Sequence, residues 1–596
     1  MERSGILRLP AEFCRIPNDR NHGADQYTFF LTDTLEKVFP ETGAEGGERL
    51  SLRCVRGEVP GFQLVYRYVP GRMQSVLTQG FTVSVIGGPC PARLREVRLI
   101  PSDYPVSEWY DADYITLEPG LFPDLLVPLE GNAIRPVHHQ YRALWIDFPD
   151  IPPESSGDYE IVISILPRET SFVMGMHVQP QEPLPPAVEL QVYLHIADMK
   201  LPPQKTLHTE WFYTDCLANY YGVEVFSERH FSIIDSFMQA AVRMGVNVLL
   251  TPVFTPPINT LPGGERTTTQ LVGITLQDGV YSFDFSLLER WCALCRKNGI
   301  THLEIPHLFT QWGAYATPKV VAHVDGTQRR IFGWDVPAVS PDYRRFLEAF
   351  LPALRQALHG FGYDDAHLMF HISDEPMARL HWDSYCAART QVGVLLDGCT
   401  ILDACSDISF YENGMIPNPV PAADKLGPYL KKRPQNLWVY YCTAQGQQSP
   451  NRFFAMPSSR NRVLGLLLYV LEIKGFLHWG YNFYLTEYSE KLVDPFYNTT
   501  AGGAFQSGDS FLVYPGDDGI PLSSIRAEVL RDAFDDLRLF QMLEASRGRP
   551  FVLAMIEREL GYLPDFRQYP RDGMCLLRLH DRAVEEIEQA YGGIEH

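Results

Sequence analysis

The chain is short of positive charge. Its 596 residues carry 51 Lys and Arg against 72 Asp and Glu, a net charge of −21. Unspecific binding to nucleic acid or to an anionic membrane needs a basic surface, so neither partner is expected. Long apolar runs are missing too. The most apolar segment, 463–471, is interrupted by Gly465 and ends at Glu472-Ile473-Lys474, well short of the ~18 residues of a membrane span. Residues 1–8 have no basic stretch leading into an apolar one, so no secretory leader is expected. The eleven cysteines are odd in number and scattered, which fits reduced thiols in a cytoplasm. The one Cys-x-x-Cys, Cys292 and Cys295, falls in a helical pattern without a second pair nearby and reads as two buried thiols. A Gly-x-Gly-x-x-Gly after a first strand, a P-loop, a fixed-period repeat and a low-complexity tract are all absent. With 45% hydrophobic and 21% charged residues the chain is not a disordered one. Aromatic residues, at 12%, are plentiful; such rings build cores and also the flat faces on which sugars stack.

Residues 1–204 differ in rhythm from the rest. Runs such as Phe62 to Val69 and Tyr159 to Ile165 alternate apolar with polar residues between Pro, Gly and Asp clusters, the pattern of an antiparallel β-sandwich. Pro183, Pro185, Pro186, Pro202 and Pro203 bracket one more strand-like run, Val188 to His195, as the sandwich leads into a stiff linker. From about 205 to 545 strands and helices alternate. Ser227 is placed to cap a helix with the apolar stripe Phe231, Ile234, Met238 and Ala241. Further helices are expected near 284–298 and 341–359, and a last one near 525–544 capped by Ser523 or Ser524. Strands are expected near 208–213, 247–254, 302–305, 367–372, 399–402, 408–411, 437–441 and 476–479. Eight such units predict a (β/α)8 (TIM) barrel, with a doubly wound sheet as the rival. Residues 546–596 read as a small helical extension packed on the barrel.

In a barrel, chemistry sits where the strands end. The fourth strand runs into His371-Ile372-Ser373-Asp374-Glu375-Pro376. Two neighbouring carboxyl groups there are costly if buried without a task, and Pro376 forces the backbone to turn. In a regular strand the two side chains face opposite sides, whereas strand-end twist can bring both to one pocket. The bland alternative is a helix cap and a solvated glutamate. The third strand leads to His307, Gln311 and Trp312, which offer hydrogen bonds and a stacking face. A metal site from His302, Glu304 and His307 is not favoured, because His307 lies beyond Pro306 on a loop. Trp211, Trp438, Tyr440, Trp479, Tyr481 and Asn482 fall at other predicted strand ends. Each ring alone reads as core, but together they suggest a cup for a pyranose. Asp403 ends the fifth strand and reads as a cap or a remote carboxylate. Arg526 and Arg531, with Asp532 and Asp535 beside them, read as structural ion pairs.

The segments 305–313, 371–376, 475–482 and 524–536 resemble, in this order, glycoside hydrolase family 123 and the wider domain family around it. The resemblance implies an N-terminal β-sandwich, a catalytic barrel without a cofactor, and exo-acting release of terminal β-linked N-acetylgalactosamine with retention. It implies Glu375 as general acid/base and Asp374 as holder of the substrate's 2-acetamido group. Gln311, Trp312, Trp438, Tyr440, Trp479 and Tyr481 carry over as pocket residues without assigned roles, and His307, Asp403 and Asn482 are expected to bind substrate beside them. The partner implied is a glycan ending in a β-linked N-acetylhexosamine.

Adjacency of the two acids makes chemical sense. An ordinary retaining glycosidase needs its carboxyl groups ~5–5.5 Å apart across the anomeric carbon, and an inverting one ~6.5–9.5 Å. Sequence neighbours can hardly flank a sugar in that way. If the substrate's own acetamido oxygen is the nucleophile, one acid protonates the leaving oxygen while its neighbour accepts the amide N–H. The pair is then expected to split, with Asp374 ionised and Glu375 partly protonated near neutral pH. Alternatives are a β-N-acetylglucosaminidase, a glycosidase using Asp403 as nucleophile, and a non-catalytic glycan-binding protein. The stretch 485–522 reads as an elaboration with no assigned role, and the oligomeric state is open.

Overall fold

The computed structural model describes residues 26–71, 77–173, 176–179 and 184–592; residues 1–8 and Pro183 lie outside them. Among the described residues, no helix is long and apolar enough to cross a membrane. The N-terminal region forms two facing sheets. One joins Gln26–Thr32, Gly61–Val69, Tyr141–Asp147, Arg93–Ser102 and Gly120–Pro128, with antiparallel pairs throughout. The other is built on the long strands Gly157–Val173 and Val188–Lys200. Alternate residues of both, such as Phe62, Leu64 and Ile146 against Ile161, Ile163, Val192 and Leu194, share one buried core, as the period-2 pattern predicts. The antiparallel expectation fails at one pair, because Arg49–Arg56 runs parallel to Val188–Lys200.

Residues 207–478 contribute eight parallel strands, here β1 (Leu207–Glu210), β2 (Val248–Leu250), β3 (His302–Ile305), β4 (Leu368–Phe370), β5 (Thr400–Ala404), β6 (Asn418–Val420), β7 (Trp438–Tyr440) and β8 (Gly475–His478). They pair in the order β6-β5-β4-β3-β2-β1-β8-β7. A parallel bridge from Ala422 to Tyr440 brings the two ends together, leaving a nearly closed barrel. The strands are short, apolar and almost wholly buried, as strands covered on both faces must be.

The expected sixth strand, 408–411, is a single helical turn, Ser409–Glu412. Asp407 Oδ1 accepts from the Ser409 N–H and hydroxyl and starts that turn. The actual β6 carries Pro419 and is followed by Pro421, residues that count against a strand because they cannot donate to the ladder. Sequence reading also passed over a four-stranded sheet, Gly273–Gln277, Val280–Asp284, Val320–Val324 and Thr327–Phe332, set between the barrel strands.

Helix caps fall close to expectation. Ser227 accepts from His230 N at the start of Glu228–Arg243, and Ser524 from Ala527 N at the start of Ile525–Arg547. Cys292 and Cys295 are buried thiols of Ser286–Asn298. Gly465, which interrupts the apolar run, is where Ser459–Val470 crosses the last barrel helix: a Cβ there would lie 1.7 Å from the Ala533 carbonyl oxygen. The C-terminal helices Arg549–Leu560 and Gly573–Gly592 follow. The second bridges barrel and sandwich, with His580 on Glu58 at 2.9 Å and Glu588 on His195 at 2.7 Å. Arg531 pairs with Asp532 at 2.8 Å as expected, but Arg526 pairs with Asp124 of the sandwich, 402 residues away.

Candidate active site

Asp374 and Glu375 lie four and five residues beyond the last residue of β4 and line one hollow of about 180 Å³ at the C-terminal mouth of the barrel. Strand twist does not bring them together. Glu375 adopts a left-handed backbone, φ 45°, and its N–H donates to the Ala404 carbonyl at the end of β5. The Asp374 carbonyl accepts from the Trp312 N–H at 3.0 Å, and Trp312 is left-handed too, φ 57°. Non-glycine residues in this region cost of order 1 kcal/mol or more each and cluster at working sites. Here the two turns aim Glu375 and Trp312 into the same space.

The hollow is walled by rings. Trp211 follows β1, Tyr440 ends β7, Trp479 follows β8, and Tyr488 and Phe505 come from the stretch 485–522. Trp479 meets Phe505 edge-on at 5.1 Å and Trp312 meets Tyr488 at 6.0 Å. The Tyr440 hydroxyl donates to Glu375 Oε1. Gln311 lines the hollow while its Oε1 accepts from the Asn259 N–H at 2.7 Å.

Beneath lies a buried charged layer. Glu304 of β3 accepts from the Trp211 indole at 2.8 Å, the Thr209 hydroxyl at 2.5 Å and His371 Nε2 at 2.7 Å. His371 Nδ1 lies 3.5 Å from Asp403 Oδ1. Burial works against a charge on His371, but Asp403 and Glu304 outweigh it and push the imidazole up to about 9. Burial pushes the Asp374 carboxyl well above the usual range, and the neighbouring Glu375 adds to the effect against the pull of His371. The expectation that Asp374 is ionised is therefore not met in the free site, where burial holds its carboxyl towards the neutral form.

Five expected pocket residues do not line the hollow. His307 is buried below it, stacked on His371 at 4.4 Å, with no hydrogen-bond partner for either ring nitrogen among the described residues. Asp403 is turned to structural contacts, taking the Ile372 N–H at 2.9 Å and the Tyr385 hydroxyl at 2.5 Å. Trp438 is buried and packs on Gly475, where a Cβ would meet its ring at 2.2 Å. Tyr481 stacks on Phe212 and donates to the Phe237 carbonyl. Asn482 clamps the backbone N–H and carbonyl of Tyr213. Gln311, Trp312, Tyr440 and Trp479 do line it.

Sequence reasoning missed Asp509, Glu487, Tyr488 and Phe505, all in the loop-rich stretch 485–522. Asp509 is buried; its Oδ2 accepts from the Trp479 indole at 3.1 Å. Burial outweighs the pull of Arg452 and of the Trp479 N–H and pushes its carboxyl up to about 7. Of the residues considered for a metal, His302 and Glu304 do not gather with His307. Among the described residues His307, His371 and Asp403 bring ligand-type atoms within 4.8 Å of one another.

The family model described as glycoside hydrolase 123, catalytic domain, matches residues 211–543. The chain belongs to this family. A solved family 123 glycoside hydrolase from Clostridium perfringens, studied for glycolipid glycan hydrolysis, is 14% identical with a TM-score of 0.69, covering 96% of this chain and 98% of its own. At that identity the likeness speaks for a shared fold over nearly the full length. A glycosyl hydrolase family 2 member from Bacteroides cellulosilyticus, 9% identical, covers 75% of this chain and 45% of its own, with a TM-score of 0.24. That score is too low to bear on the architecture. No curated protein matches the chain.

Proposed function

We propose that this family 123 glycoside hydrolase is an exo-acting, retaining enzyme that releases terminal β-linked N-acetylgalactosamine by substrate-assisted catalysis. The observation that carries the reading is that two sequence-adjacent carboxyl groups, Asp374 and Glu375, line one ring-walled hollow. The size of the hollow suits a single terminal sugar, and its aromatic walls suit the apolar faces of a pyranose. The N-acetylgalactosamine preference rests on the family resemblance, and the glycan class also on the work on the Clostridium perfringens relative.

In the proposed reaction Glu375 gives its proton to the glycosidic oxygen as the C1–O bond breaks. The carbonyl oxygen of the 2-acetamido group attacks C1 and closes an oxazolinium ring, while Asp374 accepts the amide N–H. The Glu375 carboxylate then takes a proton from water, whose oxygen attacks C1 and reopens the ring. Two inversions give retention. An N–H donor favours the charged form of a carboxyl, so the arriving amide favours the Asp374 ion that the oxazolinium needs, and the proton Asp374 gives up passes to the neighbouring Glu375, which delivers it to the glycosidic oxygen.

A nucleophilic Asp403 is the weaker reading, because its two oxygens hold Ile372 and Tyr385. Asp509 does line the hollow, but its Oδ2 is already engaged by the Trp479 indole N–H. The deciding experiment is hydrolysis of paired aryl β-N-acetylgalactosaminide and β-N-acetylglucosaminide substrates, with aryl β-galactoside as the sugar lacking the amide. Turnover of the galactosaminide, with competitive inhibition by an oxazoline-mimicking thiazoline, is expected. Equal turnover of the sugar without the amide overturns the mechanism.

A further inference from the structure

The N-terminal sandwich reaches the rim of the active site. Its strip 101–116 grips two loops of the barrel mouth. The Ser507 N–H donates to the Tyr104 carbonyl, the Gln506 amide to the Ser107 hydroxyl at 3.0 Å, and the Tyr114 hydroxyl to the Gly446 carbonyl at 2.9 Å. Asp111 accepts from the Gln448 N–H at 2.7 Å and from Arg460 at 2.8 Å. Contact with loop 443–449 is so close that a Cβ on Gly446 would lie 2.3 Å from the Trp109 carbonyl oxygen.

The backbone of Trp109 is thus fixed, yet its side chain is not packed away. Trp109 is 60% exposed, and neither its indole N–H nor the Gln447 amide has a hydrogen-bond partner among the described residues. The ring borders a second, wider cavity of about 610 Å³, whose other lining residues are mostly polar, among them Asp424, Lys425, Gln447, Gln448 and Arg567. One loop separates the two spaces. Cys442 and Thr443 face the catalytic hollow, while Ala444, Gln445 and Gln447 face the wider cavity.

We infer that this cavity is a leaving-side saccharide site in which Trp109 stacks on a sugar of the departing glycan and Gln447 binds its hydroxyl groups. The inference rests on the proposed glycosidase activity and adds to it a role for the N-terminal region. A hollow sized for one ring sends the rest of an exo-cleaved glycan out over its rim. The next residues of the wall that faces the scissile sugar lead directly to an indole carried on a fixed backbone beside amides and charges, the residue types that hold a pyranose by face and edge.

The test compares Trp109→Ala with the parent enzyme on two substrates sharing the terminal hexosamine: a nitrophenyl glycoside and an oligosaccharide of at least three sugars. Loss of the stacking face is expected to raise KM on the oligosaccharide by about 3- to 10-fold with kcat little changed. The nitrophenyl glycoside should be unaffected. Trp109→Phe should restore most of the loss, and Gln447→Ala, which removes no packed ring, should give a smaller shift on the oligosaccharide alone. An equal shift on both substrates, or none on the oligosaccharide, overturns the leaving-side site and leaves the glycosidase reading standing. A parent enzyme that cleaves neither substrate removes both.

Discussion

The Tyr440 hydroxyl at the end of β7 donates to Glu375 Oε1 beyond the end of β4, so a single hydrogen bond spans the mouth of the barrel and fixes the direction of the proposed acid. Replacing Glu375 by Gln keeps the shape and removes the transferable proton. Loss of general acid catalysis should lower kcat by ~10²-fold or more on a substrate with a poor leaving group. An activated aryl leaving group needs little protonation and should suffer less. Tyr440→Phe frees the carboxyl to rotate, and should give a smaller loss in the same direction. Equal loss on both leaving groups after Glu375→Gln would falsify the assignment.

Asp374 carries the second prediction, through pH. Its carboxyl is held well above the ordinary range by burial and by Glu375, whereas the proposed role needs the carboxylate. kcat/KM reports the free enzyme and kcat the bound complex. As pH falls, kcat/KM should therefore fail first, with an acid limb above the ~3.9 of an unperturbed aspartate. The kcat limb should lie lower, because the bound amide N–H stabilises the ion. Asp374→Asn should abolish the separation and cut activity on acetamido sugars specifically. Coincident limbs in the parent enzyme count against Asp374 as the amide acceptor.

Parts of this site were legible in the sequence for a physical reason. Asp374-Glu375-Pro376 follows an apolar strand, and the proline forces a turn there, so a carboxyl pair at a strand end is visible in one dimension. Trp312, Tyr440 and Trp479 were reachable by the same logic of strand ends. That logic places a residue but not its side chain, which is why His307, Trp438 and Tyr481 were expected in the cup and lie beneath or behind it. The left-handed φ of Glu375 leaves no mark in a sequence, since any non-glycine residue pays for it only through its neighbours. Asp509 was out of reach because 485–522 has almost no periodic structure to register it against. β6 was missed because Pro419 and Pro421 argue against a strand, although the barrel needs only three residues there.

His371 makes the barrel floor sensitive to alkali. Its imidazole is raised from 6.5 to about 9 because Asp403 and Glu304 outweigh the effect of burial. A base raised on folding contributes stability that is fully present below its unfolded value, near 6.5, and is lost as pH rises through about 9. The contribution is on the order of 3 kcal/mol. In His371→Gln, the loss of unfolding free energy relative to the parent should be largest near pH 6 and shrink by about that amount towards pH 10. Urea unfolding at both pH values measures it; a difference independent of pH means that His371 is not the buried cation described.

Asp124 and Arg526 join the sandwich to the last barrel helix. Asp124 accepts from Arg526 Nε and a terminal nitrogen, both at 2.9 Å, and from the Tyr514 hydroxyl at 2.6 Å. Arg526 also donates to the Gly508 and Phe511 carbonyl groups, which flank Asp509 on the wall of the hollow. Asp124→Ala leaves a buried guanidinium with half its partners and should destabilise the protein by ~3–5 kcal/mol. It should also raise KM, because the segment carrying Asp509 loses its anchor. Adding Arg526→Met removes the stranded charge, so the double variant should be more stable than Asp124→Ala alone while the KM defect persists. Additive stability losses in the double variant, or a KM that returns to the parent value, would show that the ion pair and the hollow are not linked through Arg526.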